Sequence, residues 1–293
     1  MQMLASDLAL LSRLRFVTRW RRHGGLWGER RSTRRGAGLE FADYRDYAPG
    51  DDPRRVDWNL YARLDRPYIR LFEEEEDLAV TVLLDGSASM AWGEAETARW
   101  PAAQQLAAAL GAIALLGGDL LRAALLQHGQ LTAIWGPARG RAHLSRLDGW
   151  VADLKPSGDT ALSSALRAFA AQPVRPGLLL LLTDGYDPAG LKEGAAALAG
   201  RGHEVVLLHM LTPPELNPSL RGDLRLSDSE SKHKREVSVD GPALAAYQRR
   251  LAVWQAELRG LAGKHNGRYA LIRTGAPLRQ ILLQELRHAN VLR

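Results

Sequence analysis

The sequence has no cysteine among its 293 residues. That excludes disulfides, thiolate zinc sites and cysteine nucleophiles, and it fits a reducing compartment. No secretion leader is expected either, because residues 1–11 carry no basic stretch and Arg13 follows too soon. No apolar run approaches the ~20 residues of a membrane span, and Leu178 to Leu182 reads as a buried strand instead. These absences predict a soluble, cytoplasmic chain without a membrane span. Internal repeats and low-complexity tracts are missing too. Acids are almost absent from one region: between Arg13 and Arg35 stand nine arginines and only Glu29. That region nets +8 within a formal total of +6, so the remainder is slightly acidic. The basic balance therefore points to a local contact and not to a basic surface throughout.

A hydrophobic content of 46% with 25% charged residues fits an ordinary globular protein with a sizeable core. Residues 78–84 form an apolar and β-branched run without Gly, Pro or internal charge, which predicts a strand buried on both faces. Residues 177–183 and 203–210 repeat the pattern, and 268–272 gives a last strand. Between them lie helical patterns over 98–116, 138–154, 161–171, 188–201 and 242–264, with a closing helix over 277–288. Segments 121–126 and 131–135 are joined by His128-Gly129-Gln130, short enough for an antiparallel hairpin. Alternating strands and helices predict an α/β fold, a doubly wound, Rossmann-like, mostly parallel sheet with one antiparallel edge strand.

Residues 4–22 predict an amphipathic helix with a basic face. Residues 40–59 interleave opposite charges with Phe41, Tyr44, Tyr47 and Trp58, and predict a network of arginine–carboxylate pairs. The acid run Glu73 to Asp77 reads either as a solvated edge or as the partner of the arginine arm. We expect a basic N-terminal extension over 1–77 and a main domain over 78–293, with a hairpin insertion at about 212–240.

The chemistry concentrates at strand ends. Asp85, Ser87 and Ser89 leave the first buried strand, Asp184 leaves another, and Thr160 opens a helix between them. In an open α/β sheet, ligands bind just outside the carboxyl ends of the strands. Five oxygen donors there suit Mg²⁺, Mn²⁺ or Ca²⁺, not Zn²⁺. The hydroxyls are neutral donors, so the site keeps residual positive charge and attracts an acidic group from a partner. Taken singly, Asp-Gly-Ser is also a common turn and helix cap.

Asp85-Gly86-Ser87-Ala88-Ser89 resembles the Asp-x-Ser-x-Ser of von Willebrand factor A (vWA) domains. Thr160 and Asp184 fall where that family has its remaining ligands. The resemblance implies a metal-ion-dependent adhesion site holding Mg²⁺ and completed by a partner's carboxylate. A second match runs through Arg31 to Phe41, Tyr47 to Asp52 and Val56-Asp57-Trp58, and is similar to the bacterial DUF58 branch. This implies an adaptor or chaperone-like role beside a MoxR-type AAA+ ATPase. Asp159 stands where many such domains have Gly, so its carboxylate is expected to crowd or supplement the site.

Enzymatic readings fail at the deciding residue. A haloacid-dehalogenase-type, Mg²⁺-dependent phosphohydrolase needs a second acid two residues after its nucleophile, and position 87 is Ser. A serine-hydrolase elbow needs Gly-x-Ser-x-Gly, and Ser87 is flanked by Asp85 and Ser89. His128, His203 and His209 read as core or edge residues, not as bases. The other alternative is nucleic-acid binding, with the arginine arm on phosphates and Trp20 and Trp27 stacking on bases. The expectation is a non-enzymatic, metal-dependent protein-interaction module.

Overall fold

The computed structural model describes residues 5–18, 40–73, 78–94, 97–159, 161–227 and 233–293. The chain divides into two units, Arg21–Asp77 and Met1–Trp20 with Leu78–Arg293. Most of the arginine arm, much of the acid run and Thr160 lie outside the described residues.

The first helix, α1 (Ala5–Leu11), is much shorter than the pattern over 4–22 predicts. Its successor segment is extended. Arg15 and Arg293 exchange backbone hydrogen bonds, Val17 N–H donates to Val291, and Phe16 bridges Leu292. Pairing with the C-terminal end outcompetes local helix propensity here. Leu11, Leu14 and Phe16 are buried in the main core, so this stretch belongs with the larger unit.

In the smaller unit, β1 (Glu40–Asp46) and β2 (Tyr68–Glu73) pair antiparallel, and α2 (Trp58–Leu64) lies between them in sequence. Asp57 caps α2 by accepting from the backbone of Asn59 and Leu60, and also takes the Tyr44 hydroxyl at 3.0 Å. Of the predicted charge network, Arg45 grips Asp51 through two bonds of 2.9 Å. α2 buries none of its described side chains, and Trp58 is 61% exposed.

The larger unit is built on six strands: β3 (Ala79–Asp85), β4 (Leu120–Gln127), β5 (Gln130–Ala138), β6 (Leu178–Thr183), β7 (Glu204–Leu211) and β10 (Arg268–Arg273). Their spatial order is β10-β7-β6-β3-β4-β5, all parallel except the edge strand β5. β4 and β5 join through His128 (φ 50) and Gly129 (φ 72), a turn with both central residues left-handed, which suits a two-residue hairpin. The helices are α3 (Arg99–Gly117), α4 (Leu144–Asp153), α5 (Leu162–Ala170), α6 (Pro188–Gly200) and α8 (Gly241–Lys264), with one short turn, α7 (Pro213–Leu216). The exposed hairpin β8 (Gly222–Ser227) and β9 (Lys234–Val239) stands in the predicted insertion. The closing helix carries a π-helical stretch at Ile281–Glu285.

Side chains alternate between faces, as strands require. Val80, Val82 and Leu84 of β3 join the core under α3 and α4, whereas Leu83 joins the core under α5 and α6. Both faces are covered, which explains why the strands read as continuous apolar runs. The structure is thus a mixed α/β fold with a mostly parallel, Rossmann-like sheet.

The helical pattern over 138–154 is corrected. Ala138 still pairs with Leu121 in β5, Gly140 turns the chain at φ 87, and regular α-helix begins at Leu144. α3 is a second correction: its 19 residues are long and apolar enough to cross a membrane. It is instead the central helix of one core layer, with Leu106, Leu110 and Ile113 fully buried.

Candidate functional site

β3 and β6 are neighbours, and the strands that follow them along the sheet diverge to opposite edges. The helices that follow them, α3 and α6, cover opposite faces. Their carboxyl ends therefore flank a topological switch point, where open α/β sheets form their binding crevice.

Four of the five predicted donors meet there. Asp85 Oδ1 accepts the Ser87 backbone N–H at 3.0 Å, and Asp85 Oδ2 accepts the Thr183 hydroxyl at 2.7 Å. Ser87 Oγ and Ser89 Oγ lie 3.0 Å apart, and Ser89 Oγ donates to Asp184 Oδ2 at 2.6 Å. All four side chains are buried. Thr160, the fifth, lies outside the described residues. The loop leading to it is tied to the first motif: Ser157 N–H donates to Gly86 O at 2.7 Å, and Ala88 N–H donates to Gly158 O at 2.9 Å. Gln127 clamps the two loops, giving its amide to Gly86 O and Lys155 O, each at 2.9 Å. Gly86 is required here, since an added Cβ would stand 2.7 Å from Leu125 Cδ1 and 2.8 Å from Gln127 Cγ. Asp159 turns to solvent, 3.5 Å from His128 Nδ1, and does not join the donors. An exposed carboxylate keeps its hydration, so nothing draws it inward.

The electrostatics are strained. Burial, and then the nearby Asp184 charge, push the Asp85 carboxyl up to about 7 despite the bonds from Thr183 and Ser87. Burial also raises Asp184, opposed by the Arg99 guanidinium. Two buried carboxylates facing hydroxyl oxygens make a hard-oxygen donor set that fits a divalent cation. Asp85 and the two serines are the inner candidates. Asp184 already receives Ser89 and Arg99 at Oδ2 and the Tyr186 N–H at Oδ1, which suits it to an outer position. Among the described residues, no cluster of three or more His, Asp or Glu side chains could hold an ion without hydroxyl help.

The sequence reading missed the residues behind the donors. Arg99 is fully buried, donating to Asp184 Oδ2 at 2.7 Å and to Ser89 O at 2.8 Å, and its other nitrogen bonds Glu215. Glu215 also takes the Tyr186 hydroxyl, and its Oε2 accepts Thr212 N–H and Oγ1 at 2.7 and 2.8 Å. Burial would raise Glu215, but Arg99 outweighs it and holds the carboxyl below its usual range. Tyr186 stacks on Trp254 of α8, ring centroids 5.5 Å apart and nearly coplanar at 6°. His209 is buried, bonded to Asp184 O at 2.9 Å and Tyr269 Oη at 2.8 Å, and burial lowers it to about 4. Two signals were readable. Thr212-Pro213-Pro214-Glu215 has capping-box spacing, and the structure forms that box. A histidine inside the apolar β7 run also needs a buried partner.

The fold and site define a mixed α/β protein with a hard-oxygen donor cluster at the switch point of its sheet. The chain belongs to the family "Protein of unknown function DUF58", whose model matches residues 43–257. It is 32% identical over 240 residues to uncharacterized proteins of Mycobacterium bovis and Mycobacterium tuberculosis, covering 80% of this chain and 74% of theirs. Among solved structures, it is similar to a conserved hypothetical protein BatB from Bacteroides thetaiotaomicron, at 17% identity and TM-score 0.44, over 67% of this chain and 91% of that one. An aerotolerance-related membrane protein from Bacteroides fragilis, with multiple mutations to serines, matches at 16% identity and TM-score 0.42, over 72% and 99% respectively.

Proposed function

We propose that this protein is a non-enzymatic, metal-dependent protein-interaction module with a vWA-like main domain. Asp85, Ser87, Ser89 and Thr160 hold Mg²⁺ (or Mn²⁺ or Ca²⁺) directly, and Asp184 holds it directly or through water. The bound ion supplies an open coordination position for a carboxylate of a client protein. The observation that carries this reading is the convergence of Asp85, Ser87, Ser89 and Asp184 at one switch point. The non-enzymatic part rests on position 87, where a hydroxyl replaces the second acid of a phosphohydrolase, and on the absence of an imidazole bonded to either serine hydroxyl among the described residues. The partner is a MoxR-type AAA+ ATPase in the cytoplasm, a reading supported by the family resemblance.

The test is co-precipitation with a purified MoxR-type ATPase. Retention in Mg²⁺ that disappears in EDTA, and disappears for Asp85→Ala in Mg²⁺, is the expected result. Equal retention under all three conditions contradicts the reading.

A further inference from the structure

Arg99 is the largest fully buried side chain of the chain's described part, and it sits between two carboxylates behind the donor cluster. An arginine at the first position of an Ala/Leu-rich helix ordinarily reaches solvent. This one turns inward and binds Asp184, Glu215 and the Ser89 carbonyl at once. Burying a guanidinium is costly unless its charge and donors are met; here two carboxylates and a carbonyl take its two terminal nitrogens, while the buried Nε has no hydrogen-bond partner. Its plane also lies 5.6 Å from the Tyr186 ring centroid, a further cation contact.

We propose that Arg99 is a positioning residue serving as the built-in cation of this site. It holds Asp184, Ser89 and Glu215 in place before any ion arrives, and it fixes Asp184 as an outer carboxylate. This rests on the metal-binding reading above. With Asp85, Asp184 and Glu215 ionised and Arg99 charged, the cluster carries a net charge of −2, which one divalent ion brings to neutrality. When all three carboxyls are ionised, Arg99 thus offsets one of their three charges and leaves charge for one divalent ion. Through Glu215 it also joins α7, and with it the start of the inserted hairpin, to the donors.

The experiment is thermal unfolding of the full chain in EDTA and in Mn²⁺ for wild type, Arg99→Met and Arg99→Lys. The methionine variant should melt well below wild type in EDTA. Mn²⁺ should raise its melting temperature at least twice as far as it raises wild type, because an external cation then replaces the missing one. Arg99→Lys, which keeps the charge, should respond to Mn²⁺ as wild type does. If wild type responds to Mn²⁺ but the methionine variant does not recover, or fails to fold in both conditions, Arg99 is merely structural and the proposal is overturned while metal binding stands. If Mn²⁺ shifts none of the three, both readings fall.

Discussion

The two ends of the parallel sheet each bury an arginine against a carboxylate, and they use it differently. At the amino end, Arg268 of β10 lies 2.7 Å from Glu204 of β7, and also bonds Val17 O and Asn290 O. Glu204 accepts the Thr18 hydroxyl at 2.7 Å. Among the described contacts one arginine meets one carboxylate there, and the chain ends are fastened to the sheet. At the carboxyl end, Arg99 faces two carboxylates, and Asp85 stands nearby with Ser87, Ser89 and Thr183. There three carboxyls crowd one guanidinium, and burial raises both Asp85 and Asp184. Beside it along the chain, Trp92 and Tyr186 stay about half exposed. One end fastens the chain termini, and the other gathers carboxyls and hydroxyls around one arginine. That contrast, more than the motif alone, supports a ligand at the carboxyl end.

Breaking the amino-end pair should give the largest effect. Arg268→Met removes the guanidinium 2.7 Å from buried Glu204 and should cost about 3–5 kcal/mol in urea unfolding. The loss should be the same in EDTA and in Mn²⁺. Recovery by Mn²⁺ would erase the distinction between the two ends.

Acid should separate wild type from His209→Gln. The imidazole is held neutral, titrating at about 4 in the fold against 6.5 when unfolded, so its contribution is present above pH 6.5 and is lost as pH falls toward 4. That interval corresponds to about 3 kcal/mol. Asp85 acts with the opposite sign, since its raised carboxyl favours the fold most at low pH and loses that contribution as pH rises toward 7. The readout is therefore the difference between the two proteins across pH 4–7. His209→Gln should flatten the acid limb, and an unchanged limb would remove His209 from the account.

Ser89→Ala sharpens the comparison at the smallest scale. It removes the bonds to Asp184, which keeps Arg99, and to Ser87, so stability should fall by about 2 kcal/mol. Cation affinity should fall by roughly 10-fold, because a donor is lost and Asp184 is uncoupled from the rest. Equal modest effects on both quantities would mean that the serine serves the fold alone.

Much of the fold was legible because strands covered on both faces write themselves as apolar runs, as at Leu178 to Leu182. β1 and α2 were not, since Glu40 to Asp46 mixes charges and aromatics and its pairing with β2 is a long-range choice. The donors at Asp85, Ser87, Ser89 and Asp184 were readable as oxygens at strand ends. Arg99 and Glu215 were not readable as a pair, because they lie more than a hundred residues apart and only tertiary packing turns a helix-start arginine inward.

The most direct test is calorimetric titration of Mn²⁺ into wild type and Asp85→Ala. Saturable one-site binding by wild type that is lost in the variant is the predicted result. Equal heats in the two proteins would contradict a metal centre at the end of β3.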